Sequence, residues 1–246
     1  MENKKRRIEL IDEIRGFAII CMVMHHSFYV AAESFDLPIS EALFDFMGVL
    51  QPYFAALFVV VCGIMCRYSK NNLKRGLVLA GVSACITAVS VFFPNMTEVW
   101  FGILHFLAVS ILLYVPLKFV FDRVNPYEGT AVMLILFFLT YNIIYSRGAF
   151  GYKLPSELYK YKFLGPLGFP SNDFISADYF PLLPWVFAFF TGTSLGIIIK
   201  KLTLPEFMYK KHLPFLSFAG RHTLYIYILH FPLIYALLWA GVNLVK

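Results

Sequence analysis

The chain has 246 residues, of which 59% are hydrophobic and 15% charged, and its formal net charge is +6. Globular chains carry about 25% charged residues, so this composition excludes an ordinary soluble domain. It predicts an all-α bundle of membrane-spanning helices in a single domain over residues 1–246, with membrane lipid as a partner. The basic residues lie near the ends of apolar runs, which argues against nucleic-acid binding.

Seven apolar segments are predicted to be membrane spans, and the fifth of them is shorter than the rest. They are predicted at about 8–32, 46–66, 76–93, 101–120, 130–145, 178–199 and 215–244. The stretch 146–177 is the one long segment that is poor in apolar residues and rich in Gly, Pro, Tyr and Lys. It is too long for a plain connection, and two interpretations stay open: a lid or acceptor-binding loop, or a variable surface loop.

Basic residues alternate with the spans. They occur before the first span and in the second-to-third, fourth-to-fifth and sixth-to-seventh connectors, which all lie on one side if every span crosses. These residues are Lys4, Lys5, Arg6 and Arg7; Arg67, Lys70, Lys74 and Arg75; Lys118 and Arg123; and Lys200, Lys201, Lys210 and Lys211. Positive residues favour the cytoplasmic side, so the N-terminus is predicted inside and the C-terminus outside.

The first span carries charged groups at its start and histidines deep inside. Arg15 and His26 are eleven residues apart, which is about three helical turns and ~16 Å of rise. Eleven steps of about 100° return to nearly the same face, so Asp12, Arg15, Ile19, Met22 and His26 form one stripe. Ionisable residues inside a membrane are costly and usually functional. The stripe therefore predicts a cation at the cytoplasmic end aligned with an imidazole towards the outside.

Three further polar residues are predicted at outer or middle depth, namely His105, Asp178 and His230. Together with His26 they could converge on one cavity that opens outward, although the sequence does not show which spans are neighbours. Imidazole suits proton transfer near neutral pH. The alternative for each histidine is a simple hydrogen bond to a neighbouring helix. His25 faces about 100° away from His26 and is predicted either to pack or to support the site from behind.

Other features of the sequence point to structure. Pro181 and Pro184 predict a kink at the start of the sixth span, and the small residues from Gly192 to Gly196 predict close helix packing. The chain has no Gly-rich phosphate loop, no His-Glu-x-x-His and no Gly-x-Ser-x-Gly motif, and so lacks the signatures of three common enzyme classes. No metal site is expected.

Four blocks of the sequence resemble the bacterial branch of the heparan-α-glucosaminide N-acetyltransferase catalytic family. They occur in the order of that family and reach from the first span to the last: Ile11–Ala18, Gly102–Ala108, Asp178–Trp185 and Gly220–His230. The Arg15–His26 spacing is also similar to the wider transmembrane acyltransferase superfamily. The resemblance implies an enzyme of the bacterial plasma membrane that moves an acetyl or other acyl group from cytoplasmic acyl-CoA to a sugar or amino-sugar acceptor outside.

The resemblance also implies roles for individual residues. His26 would be the general base, with His105, Asp178 or His230 orienting it or the acceptor. Arg15, Asp12 and Arg221 would bind the CoA thioester, and the pantetheine arm would follow the stripe from Arg15 to His26. A homodimer is left open.

The chain departs from the longer lysosomal members of this family in one respect. They have a proposed acetyl-carrying histidine after the first span, whereas residues 31–45 contain none here. This difference favours direct transfer in a ternary complex, and the shorter chain gives no reason to expect a heparan acceptor. The runner-up function is a proton-coupled transporter that uses the same intramembrane residues as a relay; no convincing internal repeat supports it.

Overall fold

The computed structural model describes residues 6–92 and 97–245, and its long elements are all helices, which confirms the predicted all-α class. The helices are Glu9–Glu33 (α1), Ser40–Cys66 (α2), Asn72–Phe92 (α3), Ile103–Phe121 (α4), Pro126–Thr140 (α5), Asn142–Tyr145 (α6), Leu182–Lys201 (α7), Pro214–Arg221 (α8) and Thr223–Val245 (α9). Within the described ranges, seven segments are long and apolar enough to cross a membrane. The α5–α6 pair supplies one of them, and α8 is too short to be one.

The last predicted span is wrong in one respect, because the structure divides it into α8 and α9. The backbone N–H of His222 donates to the carbonyls of Phe218 and Ala219, and its φ/ψ of −111° and 20° end α8 there. The second span also begins earlier than predicted, at Ser40. Lys4 and Lys5, which entered the charge argument, and Phe93, at which the third predicted span ends, lie outside the described residues.

The sixth span begins at Leu182 rather than at Asp178, since Pro181 precedes it and Leu183 has extended φ/ψ of −90° and 130°. The kink predicted from Pro181 and Pro184 is therefore confirmed. Asp178 belongs to the loop that leads into α7.

The chain forms two compact units. One contains residues up to Val61 and from Thr203 onward, and the other contains Cys62–Leu202. The prediction of a single domain stays a prediction.

In the second unit, the end of α2 packs tightly against the small residues of α7. A methyl group added to Gly63 would lie 3.1 Å from the Cα of Gly192, and one added to Gly196 would lie 3.0 Å from the carbonyl oxygen of Ile64. Such contacts leave no room for a side chain. The close packing predicted from the Gly192–Gly196 pattern is confirmed.

The long segment between α6 and α7 is folded. Gly148–Ala149 (β1) and Tyr152–Lys153 (β2) form an antiparallel hairpin, and Ser156–Tyr159 and Lys162–Leu167 form 3₁₀ turns. The hydroxyl of Tyr159 donates to the Ile143 carbonyl at 2.7 Å and that of Tyr179 to the Gly165 carbonyl at 2.6 Å. Whether the segment serves as a lid stays a prediction.

Candidate functional site

The predicted stripe from Arg15 to His26 lies on one uninterrupted helix, α1. The ~16 Å offset between the two residues therefore holds. Asp12 and Ile19 on the stripe are buried, and Arg15, Met22 and His26 are partly buried. Arg15 therefore lies near the start of α1 and His26 about three turns further along, as the sequence predicts.

The acidic residues at the start of α1 are turned inward and hold α8 and the turn before it. Glu9 accepts hydrogen bonds from the Ser217 hydroxyl at 2.7 Å and from the Arg221 guanidinium at 2.5 Å. Glu13 accepts from the backbone N–H groups of His212 and Leu213 at 2.7 and 3.0 Å. Carboxylates this well paired bind α8 to α1 through charge-assisted hydrogen bonds.

The three residues predicted to bind CoA form one ion-paired cluster. Arg15 donates through Nη2 to Asp12 at 2.9 Å and through Nε to the Gly220 carbonyl. Arg7 donates to the other Asp12 oxygen, and Arg221 lies 3.7 Å from it. Asp12 is 2% exposed and Arg15 11%. The sequence did not indicate that Asp12 would be shared among three guanidinium groups.

Two glycines allow α1 and α8 to approach closely enough for this cluster to form. A Cβ on Gly16 would collide with the carbonyl oxygen of Leu216, and a Cβ on Gly220 would collide with that of Asp12. Both collisions are with main-chain atoms, which cannot move aside as a side-chain end can. The glycines in the Arg15-Gly16 and Gly220-Arg221 pairs are therefore required by the contact between the two helices.

His26 and His230 are directly hydrogen-bonded. His26 Nδ1 lies 2.7 Å from His230 Nε2, and the ring centroids are 5.0 Å apart. His230 is 7% exposed, and its Nδ1 lies 2.6 Å from the carbonyl oxygen of Tyr227, three residues earlier on α9. The structure thus brings together two of the four residues predicted to carry the chemistry.

This chain of contacts determines the tautomers of the neutral rings. A carbonyl oxygen only accepts, so His230 Nδ1 must carry the hydrogen and donate it to Tyr227. His230 Nε2 is then the acceptor, and His26 Nδ1 must donate to it. His26 Nε2 is left with its lone pair. The arrangement therefore gives His26 a basic nitrogen with a defined position, oriented from behind by a second histidine.

Aromatic rings surround the neighbouring His25. Its ring centroid lies 5.1 Å from that of Phe44, 6.5 Å from that of Phe54 and 5.6 Å from that of His26. These contacts agree with the packing role predicted for His25.

In the second unit, His105 is positioned by Thr87. The Thr87 hydroxyl lies 2.8 Å from the Val99 carbonyl, to which it donates, and 3.0 Å from His105 Nε2. With its hydrogen already given to Val99, Thr87 can only accept from His105. Neutral His105 therefore carries its hydrogen on Nε2 and keeps the lone pair on Nδ1. The sequence did not single out Thr87, because the pairing between spans cannot be read from spacing along one helix.

Asp178 holds the start of α4. One carboxylate oxygen accepts from the backbone N–H of Ile103 at 3.0 Å, and a Cβ on Gly102 would lie 2.5 Å from that same oxygen. A carboxylate at a helix N-terminus is favoured by the helix dipole. Asp178 is also within electrostatic range of His105. The convergence of all four predicted residues on one cavity stays a prediction.

The fold and these intramembrane groups define a multi-pass membrane protein with paired ionisable residues inside its helices. A family model described as heparan-alpha-glucosaminide N-acetyltransferase, catalytic, matches residues 7–232, and the chain belongs to this family. Neither curated proteins nor solved structures gave a match. Family membership makes the protein a membrane transferase of the acetyltransferase type, and it implies acetyl-CoA as the donor.

Proposed function

We propose that the protein transfers an acetyl or related acyl group from acyl-CoA to a hydroxyl or amine of a sugar or amino-sugar acceptor, with His26 as general base. The observation that carries this proposal is the chain from the Tyr227 carbonyl through His230 to His26. These hydrogen bonds leave Nε2 of His26 with a lone pair that is held in one orientation. General bases of this kind contribute about 10²–10⁴-fold to the rate.

The reaction is a direct transfer in a ternary complex. Nε2 of His26 removes the proton as the acceptor oxygen or nitrogen attacks the thioester carbonyl carbon. The C–S bond then breaks, and the proton held on His26 passes to the thiolate, which leaves as free CoA. During the proton transfer, the imidazolium of His26 keeps its Nδ1–H donated to His230, which stabilises the charged ring.

For CoA binding, we propose the cluster of Asp12, Arg15 and Arg221 as a unit. Asp12 is an acid and would not itself attract a phosphate, so its role is to orient the guanidinium groups. Arginine in a fixed orientation suits phosphate oxygens. The pantetheine arm would follow the α1 stripe towards His26, over a distance of ~16 Å.

The proposed orientation places this cluster at the cytoplasmic surface and His26 towards the outside, in a bacterial plasma membrane. It rests on the four basic segments of the sequence and the positive-inside tendency. The acceptor would then be extracytoplasmic. His105 and Asp178 are proposed to orient the acceptor or the base.

One experiment tests this function against the transporter alternative. The purified protein is incubated with acetyl-CoA and a panel of neutral and amino sugars, and free CoA is measured by chromatography. We expect acceptor-stimulated release from the wild type and from His25→Ala, the matched control, but not from His26→Ala. Absence of stimulated release with every acceptor, together with proton-driven uptake of a sugar into proteoliposomes, would overturn the proposal in favour of transport.

A further inference from the structure

The outer surface of α8 and of the turn before it combines exposed apolar and basic residues. Phe207, Leu213, Phe215 and Phe218 are 53%, 56%, 70% and 59% exposed. Lys210 and Lys211 lie between them in the chain and are also exposed. We call these six residues the α8 face.

The α8 face is left basic because the neighbouring acids are engaged elsewhere. Glu9, Asp12 and Glu13 are 9%, 2% and 5% exposed and point into the α1–α8 contact. Between residues 203 and 222 the sequence contains one acid, Glu206, which is paired with Arg6 at 2.7 Å and is also within electrostatic range of Lys210. The charge that this surface presents outward is therefore positive.

The α8 face lies where two candidate spans begin. The opposite side of α8, with Ser217, Ala219 and Gly220, is buried against the first turns of α1, and α9 starts directly after His222. Phe and Leu side chains on the apolar side of an interfacial helix insert at the boundary between the lipid headgroups and the acyl chains. Lysines beside them are attracted to a negatively charged leaflet.

We propose that the α8 face binds anionic phospholipid, with Phe215 and Phe218 beside the glycerol and upper acyl region and Lys210 and Lys211 on the headgroup phosphate. The surface is amphipathic in the manner of interfacial helices, which combine apolar insertion with attraction to anionic lipids. Neither contribution alone gives strong binding, so the aromatic and the basic residues act together. This interaction is separate from acyl transfer.

The test compares full-length protein reconstituted in nanodiscs of phosphatidylcholine with and without phosphatidylglycerol. We expect phosphatidylglycerol to raise the unfolding temperature, and native mass spectrometry to show retained phosphatidylglycerol. Lys210→Gln with Lys211→Gln should remove at least half of both effects, as should Phe215→Ala with Phe218→Ala. Lys153→Gln with Lys160→Gln, the matched control between α6 and α7, removes the same charge and should keep both.

Three results would overturn the proposal. Equal unfolding temperatures in the two lipid mixtures, with phosphatidylglycerol retained no better than phosphatidylcholine, would show that the face does not discriminate headgroup charge. Displacement of phosphatidylglycerol by soluble CoA would assign the lysines to phosphates of the donor substrate. A change of oligomeric state in Phe215→Ala with Phe218→Ala, with lipid retention unaltered, would make the face a contact between copies of the chain.

Discussion

At the scale of single residues, a backbone carbonyl determines which nitrogen of His26 is basic. The Tyr227 carbonyl lies 2.6 Å from His230, and His230 in turn lies 2.7 Å from His26. A carboxylate performs this orienting task in many enzymes. A neutral imidazole in the same place orients the base without adding a buried negative charge to the membrane interior, which would be costly.

Replacement of His230 tests this role. His230→Ala removes the acceptor of the His26 Nδ1–H, so we expect acceptor-stimulated turnover to fall by about 10–100-fold, as for other orienting partners. His230→Gln can still accept through its amide oxygen and should recover part of the loss. The measurement is kcat and KM for acetyl-CoA across pH. We expect KM to be nearly the same in both variants as in the wild type. Equal losses in both variants would contradict an orienting role.

At the scale of elements, the helix contact that forms the arginine cluster depends on Gly16. Gly16→Ala should lower stability by about 1–3 kcal/mol, because the new methyl group meets a main-chain carbonyl and the two helices must separate. Gly81→Ala in α3 is the matched control, since nothing lies within 4 Å of its added Cβ. Its stability should be unchanged or slightly higher. Thermal unfolding followed by circular dichroism distinguishes the two, and equal unfolding temperatures would show that α1 and α8 do not pack as described.

A second prediction concerns the end of α4, where Asp122 pairs with the buried guanidinium of Arg67. Burial alone would raise the pKa of Asp122, but hydrogen bonds from Arg67 and Lys118 outweigh it and lower the pKa below its ordinary 3.8. Its contribution to stability is therefore present above that value and lost as pH falls through the lowered pKa.

Asp122→Asn leaves Arg67 buried without its charged partner, which destabilises the protein near neutral pH. The difference in unfolding temperature between wild type and Asp122→Asn should stay constant from neutral pH down to about pH 5 and shrink as the pH falls below about 4, because protonation of Asp122 then removes the advantage of the wild type. A difference that stays constant over this range would show that the pair does not titrate as described.

The sequence predicts the spans well, because each is a local run of apolar residues. Contacts between distant residues were not predictable in this way. Asp12 and Gly220 lie more than two hundred positions apart, and no periodicity along α1 reveals that Arg15 donates to the Gly220 carbonyl. The break at His222 was also missed, since α8 and α9 are both apolar and only the backbone separates them. The sequence offered His105, Asp178 and His230 as possible partners of His26, and the structure shows a hydrogen bond between His26 and His230.

At the scale of the whole molecule, the proposed orientation assigns each connector to one side of the membrane. Ser156→Cys, in the segment between α6 and α7, should react with a membrane-impermeant maleimide in intact cells. Lys210→Cys and Lys70→Cys should react only after the cells are permeabilised, because both lie in basic connectors predicted to be cytoplasmic. The opposite pattern would reverse the orientation and with it the proposed side of CoA entry.

If His26 is the base for acyl transfer, acceptor-stimulated release of CoA must depend on its imidazole. Purified wild type, His25→Ala and His26→Ala are compared at saturating acetyl-CoA with the best acceptor found. We expect kcat to fall by about 10²–10⁴-fold for His26→Ala and by less than about tenfold for His25→Ala, since His25 packs against aromatic rings. Wild-type turnover in His26→Ala would contradict this role of His26.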